Sequence, residues 1–247
     1  MEQSTYAFIL STLAGLSTLL GTIFIFFPTK RKETILISSL SFAAGVMLTV
    51  SFSDLIPSSI SSLKQVFYPI PSILIGMISF VIGIILSMTI DQKMPEQQNH
   101  LKRVGLIAML AIILHNIPEG IATYLTSSNN MKLGMTLTIA IALHNIPEGI
   151  SISIPIYYAT KSRLKAFSYT LISGLSEPFG ACIAALFLSQ WITPSMMGIL
   201  YAIIAGIMTH IALYELLPTS WKYQQTKKTI TFFILGIIVM LLSHILL

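Results

Sequence analysis

Residues 115 to 149 carry one hexad twice: His115-Asn116-Ile117-Pro118-Glu119-Gly120 and His144-Asn145-Ile146-Pro147-Glu148-Gly149. Each copy lies in a long apolar run, from Val104 to Tyr124 and from Met135 to Tyr157, which reads as two successive membrane helices. On a helix, residues three and four apart share a face, so Glu119 stands beside His115 and Asn116, and Glu148 beside His144 and Asn145. Each hexad is therefore a small ligand cluster. Pro118 and Pro147 cannot donate a backbone hydrogen bond, and their rings press on the carbonyls four residues back, at Leu114 and Leu143. Ionisable groups at membrane depth cost about 2.5–3.5 kcal/mol each on insertion scales and mark ion or substrate pathways.

Five of the nine acidic residues, Asp54, Glu119, Glu148, Glu177 and Glu215, fall within or at the ends of apolar segments whose interiors hold no lysine or arginine. A bound divalent cation neutralises such a set economically, because carboxylate and imidazole are its usual ligands. Antiparallel packing of the two hexad helices at their prolines brings His115, Glu119, His144 and Glu148 together as a tetrahedral N2O2 set that suits zinc. Asn116 and Asn145 point about 100° round from the histidines. With Glu177 they form a candidate second, all-oxygen set that Glu119 and Glu148 can bridge. The competing class is an intramembrane metal-dependent hydrolase. Its usual signature is H-E-x-x-H, with the glutamate free to activate water; here the order is H-N-x-P-E and the acids read as ligands. No catalytic residue is assigned.

The elements that must hold these groups are all membrane helices. The chain has 247 residues, 54% hydrophobic and 9% charged, with a mean hydropathy of +0.83. A span needs about 20 apolar residues, and eight stretches qualify: about 6–27, 34–57, 68–90, 104–126, 133–158, 164–189, 195–217 and 229–247. The expected fold is an all-α integral membrane protein, a single transmembrane domain over residues 1–247. The net charge of +5 is not spread as a nucleic-acid surface would be. Basic residues cluster in alternate loops, at Lys30, Arg31, Lys32; Lys93, Lys102, Arg103; Lys161, Arg163, Lys165; and Lys222, Lys227, Lys228, whereas the other loops hold Lys64 and Lys132. The positive-inside rule then puts those four loops in the cytoplasm and both termini outside. The single cysteine, Cys182, excludes disulfides and thiolate clusters within the chain. Segment 1 has no basic n-region and reads as a retained anchor and packing scaffold.

A second repeat is fainter. Ala44-Gly45-Val46-Met47 followed by Asp54 and Pro57 returns as Ala205-Gly206-Ile207-Met208 followed by Glu215 and Pro218, a constant 161 residues on. Segments 2 and 7 cross in opposite directions, as do 4 and 5, the mark of inverted repeats that build a midplane site. Asp54 and Glu215 lie near the ends of their apolar runs, where charges reach water. His100 falls in a polar linker, Asp91 to Arg103, and reads as solvated; His210 reads as a hydrogen-bonded packing residue. Trp191 and Trp221 mark interfaces.

At the two hexads, at Ser176-Glu177-Pro178-Phe179-Gly180-Ala181, and at the Ala-Gly-x-Met segments followed by an acidic-x-x-Pro turn, the chain resembles the ZIP family of divalent-metal transporters. The resemblance implies eight helices with external termini in the cell (inner) membrane, and a two-metal site between helices 4, 5 and 6. It implies uptake of Zn(II), with Fe(II), Mn(II), Co(II) or Cd(II), as cargo and not as cofactor, and a homodimer. Carried onto these residues, the first metal position is His115, Glu119, His144 and Glu148; the second is Asn116, Glu119, Asn145, Glu148 and Glu177. The linker at 91–103, histidine-rich in many relatives, has only His100 here.

Overall fold

The computed structural model describes residues 2–27, 31–94, 99–188 and 193–246. Among the described residues, eight helices are long and apolar enough to cross a membrane: α1 Gln3–Ile25, α2 Lys32–Lys64, α3 Pro69–Lys93, α4 His100–Asn129, α5 Met131–Thr160, α6 Arg163–Leu186, α7 Pro194–Trp221 and α8 Thr226–Ser243. In hydrocarbon each backbone group must find its partner within the protein, which helices achieve segment by segment. Four of the helix starts are capped. The Asn99, Asn130, Ser162 and Thr193 side chains each accept a backbone N–H from the first turn that follows. Asn130 both ends α4 and starts α5, and Lys161 ends α5 in the left-handed region, φ 56°. Lys30 and Trp191 lie outside the described residues, as does the His244 side chain.

Two features differ from the sequence expectation. α2 does not stop near Pro57 but continues to Lys64; Ser58, Ser59, Ser61 and Ser62 lower the hydropathy of this end without breaking the helix, which buries Ser59 and Leu63 on one face. The acidic-x-x-Pro motifs are not turns either. Both are widened π-helical turns inside continuous helices, Ser51–Leu55 with Asp54 and Ile211–Leu216 with Glu215. A proline next to the helical ladder removes a donor, and the extra residue per turn absorbs the mismatch. Asp54 and Glu215 therefore sit within helices, at equivalent irregularities.

The inverted repeat is visible in the packing. α2 pairs with α8 and α3 with α7, while α4 packs along α5 and α6 and α1 lies on α5 and α4. A Cβ on Gly45 of α2 would strike the Phe233 carbonyl of α8, and one on Gly206 of α7 would strike the Phe80 carbonyl of α3. Likewise Gly236 abuts the Phe42 carbonyl and Gly83 the Ile203 carbonyl. Across the other half, Gly120 abuts the Glu177 carbonyl and Gly149 the Thr18 carbonyl, while Gly15 and Gly174 each meet the other's carbonyl. One pseudo-two-fold axis thus relates α1 to α6, α2 to α7, α3 to α8 and α4 to α5. Small residues let the backbones touch at these crossings, as expected where lipid supplies no hydrophobic drive between helices.

Candidate metal site

The axis passes between the two hexads. α4 and α5 are unbroken through Pro118 and Pro147, so the helical spacing keeps the histidine and glutamate of each hexad toward the partner helix. His115, Asn116, Glu119, His144, Asn145, Glu148 and Glu177 are all buried. Glu119 Oε1 lies 3.1 Å from His144 Nε2 and 3.3 Å from His115 Nε2. Glu148 Oε1 lies 3.4 Å from His115 Nε2. The two imidazole rings are 6.0 Å apart. One ligand atom each from His115, Glu119 and His144 lies within 4.8 Å of the others, close enough to hold a single ion.

The asparagines are fixed from behind. Asn116 Nδ2 donates to the Ser173 carbonyl at 3.1 Å. Asn145 Nδ2 donates to the Ala14 carbonyl and to Glu177 Oε2, each at 3.0 Å. Both amide oxygens then have no hydrogen-bond partner, nor do both oxygens of Glu148, Glu119 Oε2, Glu177 Oε1 and Nδ1 of either histidine. Buried acceptors in such number are costly unless something else satisfies them, and among these seven residues no lysine or arginine does so. A carboxylate, imidazole and amide-oxygen set is what a divalent cation of borderline hardness takes.

Access runs from one end of the bundle. A cleft of about 350 Å³ is lined by Asp54 of α2, Thr126 of α4, Leu133, Thr136, Leu137, Ala140 and His144 of α5, and Met240 and Ser243 of α8. Its lining runs from Thr126 and Leu133, beside the α4–α5 connection, to His144. Asp54, read from the sequence as a charge near a span end, is thus a lining residue of this cleft. The signal was present in its repeat with Glu215. α1, read as scaffold, supplies the Ala14 carbonyl that holds Asn145; nothing in its hydropathy marks it.

The pattern of the family described as ZIP Zinc transporter matches residues 92–244, which include every hexad residue and Glu177. This chain belongs to the ZIP family. A zinc transporter ZupT of Chlorobium phaeovibrioides is 39% identical over 259 residues, covering 98% of this chain and 97% of that protein. ZupT of Chlorobium luteolum is also 39% identical, with full coverage of both, and ZupT of Campylobacter jejuni is 36% identical over 287 residues. As a ZIP protein the chain is a multi-pass divalent-metal transporter of the cell membrane and not an enzyme, so the hydrolase alternative falls away.

Other polar groups of this ZIP protein lie away from the hexads. His210 of α7 bonds Ser87 of α3 through Nδ1 at 2.9 Å and stacks on Tyr214, a packing role. Arg103 binds Asp91 at 2.7 Å, tying the start of α4 to the end of α3. His100 is exposed, as expected, but it begins α4 and does not lie in a loop; it bonds Thr219 Oγ1 of α7 at 3.0 Å. Cys182 is half-buried on α6 and unpaired.

Proposed function

We propose that the protein carries zinc, and with it Fe(II), Mn(II), Co(II) and Cd(II), into the cytoplasm through a two-ion site between α4, α5 and α6. His115, Glu119, His144 and Glu148 form the first position, which prefers zinc because two of its ligands are imidazole nitrogens. Asn116, Asn145 and Glu177 form the second together with Glu119 and Glu148, which bridge the two ions. The observation that carries this reading is the set of unpartnered buried acceptors at the hexads, an arrangement stable in a membrane only when cations neutralise it.

Direction follows from charge. The basic loops place the α4–α5 connection outside, so the cleft that ends on His144 faces the exterior and takes up the ion there. The inverted repeat supports exposure of the same site to the opposite side, since each helix has an oppositely directed counterpart able to exchange roles with it. Residues 1–247 act as one transport domain, and the assembly we propose is a homodimer, supported by the family resemblance. Metal uptake into proteoliposomes, with and without an imposed pH gradient, tests the reading. Zinc accumulation that requires both hexads is the expected result; no accumulation in either orientation overturns it.

A further inference from the structure

The pseudo-two-fold axis relates α1 to α6 position by position, and at one position it relates a carboxylate to a hydroxyl. Gly15 faces Gly174, Ala14 corresponds to Ser173, and Thr18 corresponds to Glu177. The correspondence is read from contacts and not from spacing alone. The Ala14 and Ser173 carbonyls accept the amides of Asn145 and Asn116, respectively. The Thr18 and Glu177 carbonyls abut Gly149 and Gly120. A Cβ on Gly15 would lie 2.9 Å from Glu177 Cβ, and one on Gly174 would lie 3.5 Å from Thr18 Cβ. Glu177 reaches Asn145 at 3.0 Å. On the other side of the axis Thr18 is fully buried, and both its hydroxyl and the Asn116 amide oxygen lack a hydrogen-bond partner.

We propose that Thr18 is a further ion-binding residue of the transport site: with the Asn116 amide oxygen it forms the neutral half of the second ion position, opposite the anionic half built by Glu177 and Asn145. The inference rests on the role proposed above for Glu177. Its consequence is electrostatic. Glu119, Glu148 and Glu177 supply three negative charges against the four positive charges of two divalent ions. A glutamate at 18 would complete the balance and hold the ions too well to release them, since conduction needs binding weak enough for departure. A hydroxyl there offers an oxygen ligand without that charge. Gly174 lies beside Thr18 as Gly15 lies beside Glu177, and neither glycine presents a side chain to its neighbour.

The test moves the carboxylate across the axis. Purified full-length protein is compared with Glu177→Thr, with the exchange Thr18→Glu plus Glu177→Thr, with the uncharged control Thr18→Gln plus Glu177→Thr, and with Thr18→Glu alone. Bound zinc per chain is measured by equilibrium dialysis, and uptake in proteoliposomes. Glu177→Thr is expected to lower the zinc bound per chain, the exchange to restore it, and the glutamine control to leave it low. Thr18→Glu alone is expected to bind zinc about tenfold more tightly and to transport it more slowly. An exchange variant that is monodisperse yet binds no more zinc than Glu177→Thr overturns the proposal. So does one that fails to fold while the glutamine control folds, because position 18 then cannot house the carboxylate that symmetry assigns to it. If neither folds, Thr18→Val, which removes only the hydroxyl, decides: unchanged zinc affinity and uptake overturn the proposal, and weakened affinity supports it. Unchanged zinc binding in Glu177→Thr instead removes the reading of Glu177 itself, and is seen before position 18 is changed.

Discussion

Glu119 Oε1 on α4 lies 3.1 Å from His144 Nε2 on α5, closer than to His115 Nε2 on its own helix at 3.3 Å. The carboxylate therefore belongs to the interface between the hexads as much as to its own hexad. Glu148 makes the reciprocal approach to His115 at 3.4 Å. Glu119 and Glu148 are the carboxylates proposed above to bridge the two ion positions.

Glu119→Ala and Glu148→Ala are each expected to abolish transport, lowering zinc uptake by about 100-fold or more, the upper end of what even outer ligand partners cost. Glu177→Ala and Asn145→Ala should reduce uptake but leave part of the metal binding, because each serves one position. Metal counts on purified protein decide it: an undiminished count in Glu119→Ala rules out the shared-ligand arrangement.

Selectivity should follow ligand hardness. His115 and His144 are the nitrogen ligands proposed for the site, and imidazole favours zinc over manganese. The double variant His115→Ala, His144→Ala is expected to lose zinc uptake more than manganese uptake in competition assays. Imidazole ligates only when neutral, so wild-type zinc uptake should weaken as the pH drops into the range where imidazole protonates. Equal losses of the two metals in the double variant would mean that the histidines do not set the preference.

Asp54 lines the cleft that ends on His144, and a lone carboxylate in such a passage concentrates cations at its mouth. Asp54→Asn should raise the half-saturating zinc concentration about threefold to tenfold and leave the maximal rate less affected. Uptake by the variant should also depend less on ionic strength than wild-type uptake does. A variant whose loss lies entirely in maximal rate would place Asp54 in the transport step and not in capture.

The helix crossings make a prediction about stability. A methyl at Gly120 would run into the Glu177 carbonyl, and one at Gly149 into the Thr18 carbonyl, whereas one at Gly76 would meet its nearest atom, Ser59 Oγ, at an ordinary 3.7 Å. Gly120→Ala and Gly149→Ala should each destabilise the protein by about 1–3 kcal/mol, and Gly76→Ala should be neutral or stabilising by up to about 1 kcal/mol. Thermal unfolding in detergent compares the three; equal melting temperatures would contradict the close approach of α4 to α6 and of α5 to α1.

Orientation is open to direct labelling. In a variant freed of Cys182, single cysteines replacing Lys64 or Lys132 should react with an impermeant thiol reagent on intact cells, and those replacing Lys102, Lys161 or Lys222 should not. The reverse pattern would turn the molecule over in the membrane, and with it the direction proposed for transport.

Much of this protein follows from the chain alone. Eight apolar runs separated by short polar loops leave the backbone no option in lipid but helices, and the three- and four-residue spacing within His-Asn-x-Pro-Glu puts each hexad's ligands on one face whatever surrounds it. The repeat of Asp54 and Pro57 at Glu215 and Pro218 announced the inversion before any packing was known. Only the tertiary structure decided that the axis also pairs α1 with α6 and α3 with α8, that Thr18 stands where Glu177 stands in its counterpart, and that Asp54 shares a cleft with His144. The reason is physical. A leucine gains nearly as much from lipid as from a neighbouring helix, so hydropathy does not say which face of a span is covered. That choice is made by glycines such as Gly15 and Gly149, whose missing side chains let particular backbones approach, and the value of a glycine at a crossing depends on which helix crosses it.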